Sequence, residues 1–403
     1  MNLKKYKLAD IAKIEISGVD KKTIEGEIPV LLCNFVDVYY NWAITKEKAK
    51  SFMAASAKQT EIDKCSIGKG MVAITKDSET RDDIGVATYI ADDFEDVVLG
   101  YHCALITPNP AVVDGKYLNA FMHTRYIQKY FENNASGSGQ RYTLSNDTIG
   151  NIPVLLPSIE EQHTIGKVLA DIDRKIELNK QINDNLEAMA KQLYDYWFVQ
   201  FDFPNEEGKP YKSSGGEMVW NEKLKREIPK GWDVVNYMSL FEIGNGQTIP
   251  QTKGVIPAFG GNGIVKMIAE ANYSPCVIIG RVGANCGSIH YSKVPCWVSD
   301  NAIAVCPLNG NWLPFVYYSL SLYDLSKNRG GSSQPLITHA TLKNLYFAIS
   351  NVIIDKYINI ANVFQQMIYK IQNETETLTK QRDELLPLLM NGQATVNYHL
   401  SDD

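Results

Sequence analysis

Apolar residues recur every seven positions along two long stretches of the chain. In the first stretch, residues 158–200, one row consists of Ile165, Ile172, Asn179, Leu186 and Leu193. A second row follows three residues later, at Val168, Lys175, Ile182, Met189 and Tyr196. A seven-residue repeat that continues for about five heptads is typical of a coiled coil. The stretch is therefore predicted to be a long helix with a helical partner.

The second stretch, residues 348–392, has the same pattern. Its first row is Tyr357, Phe364, Ile371, Leu378 and Leu385, and its second row is Ile360, Met367, Glu374, Gln381 and Leu388. Because such a long apolar face is unfavourable in water, we expect the two helices to pack on each other as an antiparallel coiled coil. The polar residues in the rows can fix the register of such a pair, and solvent-facing positions are the alternative.

Short runs rich in Val, Ile, Tyr and Gly fill residues 1–157 and 231–347. Runs such as CVIIG and NAIAVCP, bounded by Gly, Pro and Asn, are typical of β-strands. They predict an α+β protein with two mainly β domains that also contain short helices. Residues 201–230 are polar and rich in turn residues, which favours a linker, and residues 393–403 are left as a C-terminal tail.

Fragments that match in the same order indicate a tandem repeat. Gln140 and Asn151 match Gln334 and Asn344 at offsets of 194 and 193. Upstream, GEIPVLLCN from Gly26 corresponds to GVIPAFGGN at an offset of 228, so the first copy carries about 35 extra residues. A duplication of this kind predicts a pseudo-two-fold arrangement of two domains and two helices.

Charge and composition bear on which partners the chain can have. The 403 residues include 40 basic and 46 acidic side chains, for a net charge of −6. Residues 158–200 carry 5 basic and 8 acidic side chains, and residues 346–403 carry 4 and 7, so the helical segments account for the whole excess of acid. The acidic total therefore does not exclude DNA binding by the β domains, although it predicts weak DNA binding by the chain alone.

The sequence contains few signs of catalysis, metal binding or export. It has no run of about 18 apolar residues and no signal peptide, and its seven cysteines include no C-x-x-C pair, so we expect a cytoplasmic protein without disulfides, metal or membrane contact. It also has neither a P-loop nor a G-x-G-x-x-G turn. We therefore expect a binding protein with no catalytic residues and no cofactor of its own.

Six longer runs follow one another along the chain in a recognisable order. They are LPSIEEQHTIGKVLADIDRKIELNKQINDNLEAMAKQLYDYWF, FDFPNEEGKPYKSSGGEMVW, REIPKGW, IGRVGANCGSIHYS, CWVSDNAI and GGSSQPLIT. Together they resemble the specificity (S) subunit of bacterial type I restriction–modification systems. One departure is that AISNVIIDKY, at the start of the second helix, lacks the pattern of Pro157, Glu161 and Gln162.

This resemblance implies a non-catalytic subunit that reads DNA for other subunits. Each β domain would be a target recognition domain that reads one half of a split, gapped sequence in the major groove, and the helix pair would set the gap. The implied partners are double-stranded DNA, two methyltransferase (M) subunits and restriction/translocase (R) subunits. S-adenosylmethionine, ATP and Mg²⁺ would bind only to those subunits. A coiled-coil scaffold whose β domains bind proteins is the alternative.

Candidate DNA contacts lie in polar and glycine-rich loops, because base edges and phosphates are bound by cationic, amide and hydroxyl groups. In the first domain they are Lys69, Lys76, Arg81, Ser138, Gln140, Arg141 and Tyr142. In the second domain they are Asn262, Arg281, Asn285, Lys327, Arg329, Ser332, Ser333 and Gln334. A plain polar connector or a solvated face is the alternative for each loop.

Aromatic residues are concentrated at the end of the first helix. Tyr194, Trp197 and Phe198 lie within five residues, more than the seam of a two-helix pair can bury. We therefore expect them to form a docking surface for a methyltransferase subunit. Packing against the nearest recognition domain is the alternative.

Overall fold

The computed structural model describes residues 2–137, 139–323, 325, 336–394 and 396. The chain divides into two compact units, one made of residues 1–180 with 373–403 and the other of residues 181–372. Each unit therefore contains one β domain together with part of each long helix. This division differs from the predicted boundaries, which placed each helix in a segment of its own.

The first β domain comprises thirteen strands among the described residues. They are β1 (Lys4–Lys7), β2 (Ala12–Ile16), β3 (Ile28–Cys33), β4 (Ala43–Ile44), β5 (Met53–Ala57), β6 (Val72–Thr75), β7 (Asp77–Ser78), β8 (Ala87–Ile90), β9 (Val97–Leu99), β10 (Cys103–Pro108), β11 (Ser136–Gly137), β12 (Tyr142–Thr143) and β13 (Pro153–Leu156). Its short helices are α1 (Leu8–Ile11), α2 (Phe35–Tyr39), α3 (Lys46–Ala49), α4 (Gln59–Cys65), α5 (Gly115–Met122), α6 (Arg125–Asn134) and α7 (Asn146–Gly150). The long helix α8 (Ile159–Tyr194) comes next and ends in a π-helical turn, Asp195–Val199.

The second half of the chain repeats this order with fewer elements. Its strands are β14 (Met218–Asn221), β15 (Arg226–Pro229), β16 (Asp233–Asn236), β17 (Phe241–Asn245), β18 (Ile256–Gly260), β19 (Gly263–Ile268), β20 (Cys276–Gly280), β21 (Ile289–Ser292), β22 (Trp297–Val298), β23 (Ala302–Pro307) and β24 (Tyr346–Ile349). Its helices are α9 (Leu313–Ser321), α10 (His339–Lys343) and the long α11 (Asn351–Met390).

The sheets confirm the tandem repeat. In the first domain the strand order β2-β10-β6-β8 corresponds to β17-β23-β20-β21 in the second. The order β5-β3-β9 likewise corresponds to β19-β18-β22, and in both sheets the central strand has one antiparallel and one parallel neighbour. The pair β1-β13 corresponds to β16-β24. The α+β class and the duplication are therefore as predicted.

Strands β10 and β20, which are interior strands of the two larger sheets, are buried on both faces. In β20, Val277 and Ile279 pack into one apolar core, while Cys276 and Ile278 pack into another. Residues of β10 alternate between two cores in the same way. Because successive side chains of a strand point to opposite faces, a continuous apolar run is suited to a strand covered on both sides.

The long helices pack on each other antiparallel within each unit. In the first unit Asp173 pairs with Arg382, and Asn179 donates a hydrogen bond to Glu374 (3.0 Å), so residue numbers fall along α11 as they rise along α8. In the second unit Tyr194 packs against Tyr357, farther toward the start of α11. All nine predicted seam residues are buried or half-buried; they are Ile165, Ile172, Asn179, Leu186, Leu193, Phe364, Ile371, Leu378 and Leu385.

The second predicted row, three residues after the first, is wrong. Apart from the half-buried Val168, its members on both helices are exposed. The row four residues after the first is largely covered instead. Its covered members are Leu169, Ile176 and Ala190 in α8, Trp197 in the π-helical turn, and Ala361, Ile368, Arg382 and Leu389 in α11. Heptads alternate spacings of three and four, and both alternatives are largely apolar here, so the repeat alone did not decide between them.

Residues 201–230 form ordered structure where the sequence suggested a linker. Strands β14 and β15 pair as a hairpin. Phe201 and Phe203 are buried, with their rings 5.3 and 5.2 Å from that of Trp232. The carboxylate of Asp202 accepts hydrogen bonds from the amide and hydroxyl of Ser213. The aromatic residues of this segment anchor it to the core of the second unit. The prediction gave more weight to the polar composition of the segment than to these aromatic residues.

Candidate nucleic-acid interface

A small three-stranded sheet gathers most of the first domain's candidate DNA contacts. Its order is β11-β12-β7, and Tyr142 and Thr143 of β12 pair with Ser78 and Asp77 of β7. This pairing brings the loop that carries Gln140 and Arg141 to the end of β6, where Lys76 lies. The guanidinium of Arg81, in the loop after β7, lies 5.1 Å from the ring centroid of Tyr142. Five sequence-predicted residues thus belong to one cluster.

Asp77 is the buried centre of this cluster, although the sequence did not single it out. Its Oδ2 lies 2.6 Å from Nδ1 of His102, 3.0 Å from Nζ of Lys76 and 3.6 Å from Nη2 of Arg141. Burial raises the pKa of this carboxyl, but hydrogen bonds from Thr143, His102 and Lys76 outweigh burial, so the pKa lies below its ordinary value. Asp77 is therefore a carboxylate surrounded by cationic groups.

His102 connects Asp77 to Arg141. Its backbone is in the left-handed region with φ of 76°, a strained conformation for a residue other than glycine. Nη2 of Arg141 lies 3.0 Å from Nε2 of the ring. Nη2 is also 2.5 Å from Nδ1, which in turn lies 2.6 Å from Oδ2 of Asp77, so the ring is in contact with both charged groups. The Arg141 side chain is nevertheless 57% exposed.

An aromatic wall lies beside the charged cluster. Tyr39 and Tyr40, at the end of α2, line a cleft of about 580 Å³ with His102, Gln140 and Arg141. Tyr40 is 76% exposed, and the hydroxyl of Tyr39 donates to Asp83. The sequence offered no sign of these tyrosines, because α2 lies about 100 residues from the Gln140 loop.

One basic candidate of the first domain lies elsewhere. Lys69 is in the turn before β6, whereas Lys76 comes directly after the same strand. The backbone amide of Lys69 donates to Asp93 at 3.0 Å. Lys69 and Lys76 therefore lie at opposite ends of β6, and Lys69 is not part of the cluster around Asp77.

The described candidates of the second domain also come together. Asn262 lies in the turn between β18 and β19 and is exposed, as is Asn285 in the loop after β20. A Cβ added to Gly261 would lie 3.5 Å from the Cα of Gly280 and 3.8 Å from the Cβ of Asn285, so the two loops are in contact. Arg281 comes directly after β20.

Hydrogen bonds show that Lys76 and Arg281 occupy the same position of the repeat. The amide of Lys76 donates to the carbonyl of His102, and the amide of Arg281 donates to the carbonyl of Asn301. The carbonyl of Lys76 accepts from Leu144, and that of Arg281 accepts from Ile337. Each copy therefore places a basic residue at the end of an equivalent strand, beside the segment that leads to the next helix.

Several candidates lie outside the described residues: Ser138, Lys327, Arg329, Ser332, Ser333 and Gln334. Leu336, the first described residue after Gln334, forms a β-bridge with Val282. Leu336 and Ile337 thus lie beside Arg281.

The expected docking surface at the end of α8 needs correction. Tyr194, Trp197 and Phe198 are only 3%, 5% and 6% exposed and belong to the core of the second unit. The ring of Phe198 lies 5.0 Å from that of Phe315 in α9 and 5.3 Å from that of Tyr357 in α11. These three side chains are therefore covered by their own unit, since all three contact Tyr357 of α11 and two of them also contact Phe315 of α9.

Two other kinds of feature are absent from the described part of the chain. No group of three or more His, Cys, Asp or Glu side chains among those residues is arranged to hold a metal ion. No described helix is both long and apolar enough to cross a membrane.

A protein-family model matches both copies of the repeat. The model of the Type I restriction modification DNA specificity domain matches residues 2–188 and 229–386. Each match comprises one β domain and most of the long helix after it. The family description thus coincides with the duplication seen in the sheets.

Individual relatives extend this result. The chain is 26% identical over 322 residues to the type I restriction enzyme MjaIX specificity subunit of Methanocaldococcus jannaschii, and the match covers 72% of this chain and 71% of the relative. It is 32% identical over 126 residues to the HindI specificity subunit of Haemophilus influenzae, covering 31% and 28%. The crystal structure of a type I restriction–modification S subunit from M. genitalium matches with a TM-score of 0.60 and 17% identity, covering 99% of this chain and 97% of that one.

Proposed function

The chain belongs to the type I restriction–modification DNA specificity family, and we propose that it directs methyltransferase subunits to a bipartite, gapped DNA sequence. The family's role is DNA sequence specificity within a type I complex. In the proposal each β domain reads one half of the target in the major groove, and the helix pair sets the distance between the halves. The chain itself performs no catalytic step. S-adenosylmethionine, ATP and Mg²⁺ bind to the methyltransferase and restriction subunits.

The observation that carries the proposal is the repeated placement of a basic residue. Lys76 and Arg281 have the same backbone hydrogen bonds at the end of equivalent strands. Exposed amide side chains, Gln140 in one domain and Asn285 in the other, accompany them. Cationic and amide groups are those that bind phosphates and base edges, so two similar reading surfaces suit a target made of two halves.

The long helices support the proposed role as a spacer. Helix α8 has 36 residues and α11 has 40. At about 1.5 Å per residue these helices are roughly 54 and 60 Å long. Both lengths exceed the roughly 34 Å of one DNA turn, so the pair is long enough to separate two half-sites on one face of the duplex.

The exposed rows of the helix pair are the proposed docking face for a methyltransferase subunit. In the first unit Nζ of Lys175 and Oε1 of Glu374 are 3.6 Å apart, so the rows three residues after each seam row adjoin on one side of the pair. In the second unit these rows are apolar and exposed, at Ile182, Met189, Tyr196, Ile360 and Met367. Apolar residues at heptad spacing fit a helical segment of a partner. This face, which we call the exposed heptad face, replaces the aromatic cluster predicted from the sequence.

Co-expression with a type I methyltransferase subunit would test the proposal. Methylated bases are then mapped by sequencing in cells that contain the methyltransferase with and without this chain. The expected result is methylation at a split, gapped motif only when both are present. Methylation that is the same in both strains would refute the proposal and favour a protein-binding scaffold.

A further inference from the structure

Arg141 combines exposure with a fixed orientation. Its side chain is more than half exposed, yet Nη2 contacts His102 and lies 3.6 Å from the carboxylate of Asp77. Asp77 is itself 7% exposed and is held by three further groups, the side chains of Lys76, His102 and Thr143. A long arginine side chain otherwise loses several rotamers when it binds, so this anchoring reduces the entropic cost of binding.

The carboxylate argues for base reading over phosphate binding. A phosphate contact requires positive potential and tolerates several geometries, and the carboxylate of Asp77 beside the cations Lys76 and Arg141 lowers that potential. Base reading instead requires a guanidinium aimed in one direction, because two parallel N–H groups must meet the O6 and N7 of guanine. Asp77 thus weakens phosphate binding by Arg141 and improves base reading by the same side chain.

The donors of Arg141 are sufficient for such a contact. A guanidinium has five N–H groups, and Nη2 is the nitrogen that lies against His102 and Asp77. Nη1 and the second hydrogen of Nη2 together form an edge that matches guanine. Gln140, the preceding residue, lines the same cleft and carries the amide group that pairs with adenine.

We propose that Arg141 determines specificity in the first domain by reading a guanine in the major groove, and that Asp77 and His102 are positioning residues for its guanidinium. The inference rests on the proposed function of the chain. It assigns Arg141 a different role from Arg81, whose guanidinium stacks on the ring of Tyr142.

Methylated bases are mapped for the co-expressed complex with wild-type chain, Arg141→Lys, Asp77→Asn and His102→Gln. Arg141→Lys keeps the charge and loses the two-pronged edge, so the preference for guanine at one position of one half-site should fall about 5- to 150-fold. Asp77→Asn and His102→Gln should relax the same position to a smaller extent. The other half-site should stay unchanged in every variant. Arg81→Gln is the matched control and should lower methylation equally at all sites without altering the motif.

The outcomes separate the two proposals. A wild-type complex without a split motif refutes the proposed function itself. If the wild type has such a motif but Arg141→Lys leaves its guanine preference intact, or lowers methylation uniformly, Arg141 is a phosphate contact and the inference is wrong. If Arg141→Lys relaxes the position but neither Asp77→Asn nor His102→Gln does so, the positioning role is wrong. Should Asp77→Asn prevent folding, His102→Gln decides that point.

Discussion

Asp173 of α8 should make the stability of the protein depend on pH. Its side chain is 14% exposed and its Oδ1 lies 3.5 Å from Nη1 of Arg382. Burial is the largest influence and, with Glu177, outweighs the cations Lys48, Arg382 and Lys180, so the pKa rises from 3.8 to about 6. The fold therefore favours the protonated acid over the carboxylate.

The raised pKa fixes the sign and size of the effect. Protonated Asp173 contributes stability that is fully present below the unfolded pKa of 3.8 and is lost as the pH rises through the folded value of about 6. A difference of about 2 in pKa corresponds to about 3 kcal/mol. Asp173→Asn is neutral at every pH, and Arg382 keeps Asp383 at 3.0 Å and the Trp42 ring at 4.9 Å. The variant should therefore exceed the wild type in free energy of unfolding by up to about 3 kcal/mol at pH 7.5, and by about half as much at pH 5.

Urea denaturation of the full chain at pH 5 and pH 7.5 measures this difference. Asp171→Asn, at an exposed position of the same helix, is the matched control and should change stability by less than about 0.5 kcal/mol. A lower stability of Asp173→Asn at pH 7.5, or a difference from the wild type that does not grow with pH, would refute the reasoning. In that case the ion pair with Arg382 outweighs the cost of burial.

Three further predictions concern spacing, docking and packing. Insertion of one heptad into each long helix at the boundary between the units adds about 10 Å to the helix pair. Methylation mapping should then find a DNA spacer that is longer by roughly 3 base pairs, with both half-sequences unchanged. An unchanged spacer would contradict the spacer role. Met189→Glu on the exposed heptad face should weaken methyltransferase binding, measured by calorimetry, at least about tenfold. Ala188 is exposed beside it, and Ala188→Glu should leave binding unchanged. Equal effects of the two variants would argue against docking on this face. Gly115→Ala places a Cβ against the carbonyl oxygen of Gly70 and should destabilise the first unit by about 2 kcal/mol or more in thermal unfolding. Gly18 has open space around it, so Gly18→Ala should have little effect. Similar melting temperatures of the two variants would contradict this account.

The periodic features of the sequence predicted most of the fold. Heptad repeats located both long helices within a few residues, and matching fragments revealed the duplication that the strand orders confirm. The choice of helix face was wrong because Met189 and Ala190 both suit an apolar row, and only the packing of the folded unit buries Ala190. The Tyr194 cluster was misjudged for a related reason, since α9 covers it and nothing in the local sequence indicates that contact.

The candidate site was predictable only in part. Loop composition identified Gln140, Arg141 and Arg281, because polar and basic residues beside glycine stand out along the chain. Asp77 and His102 lie 25 residues apart and meet through strand pairing, which local composition does not encode. The equivalence of Lys76 and Arg281 was hidden for the same reason, since it depends on backbone hydrogen bonds.

The division of the long helices between the units has a consequence for the order of synthesis. Ile165 and Leu169 of α8 share an apolar core with Leu386 and Leu389 of α11, which are translated about 220 residues later. At roughly 5–20 residues per second, this apolar face of the nascent chain waits some 10–40 s for its partner. The first recognition domain to leave the ribosome is therefore the last to be completed, and during that interval this face of α8 has no α11 to pack against.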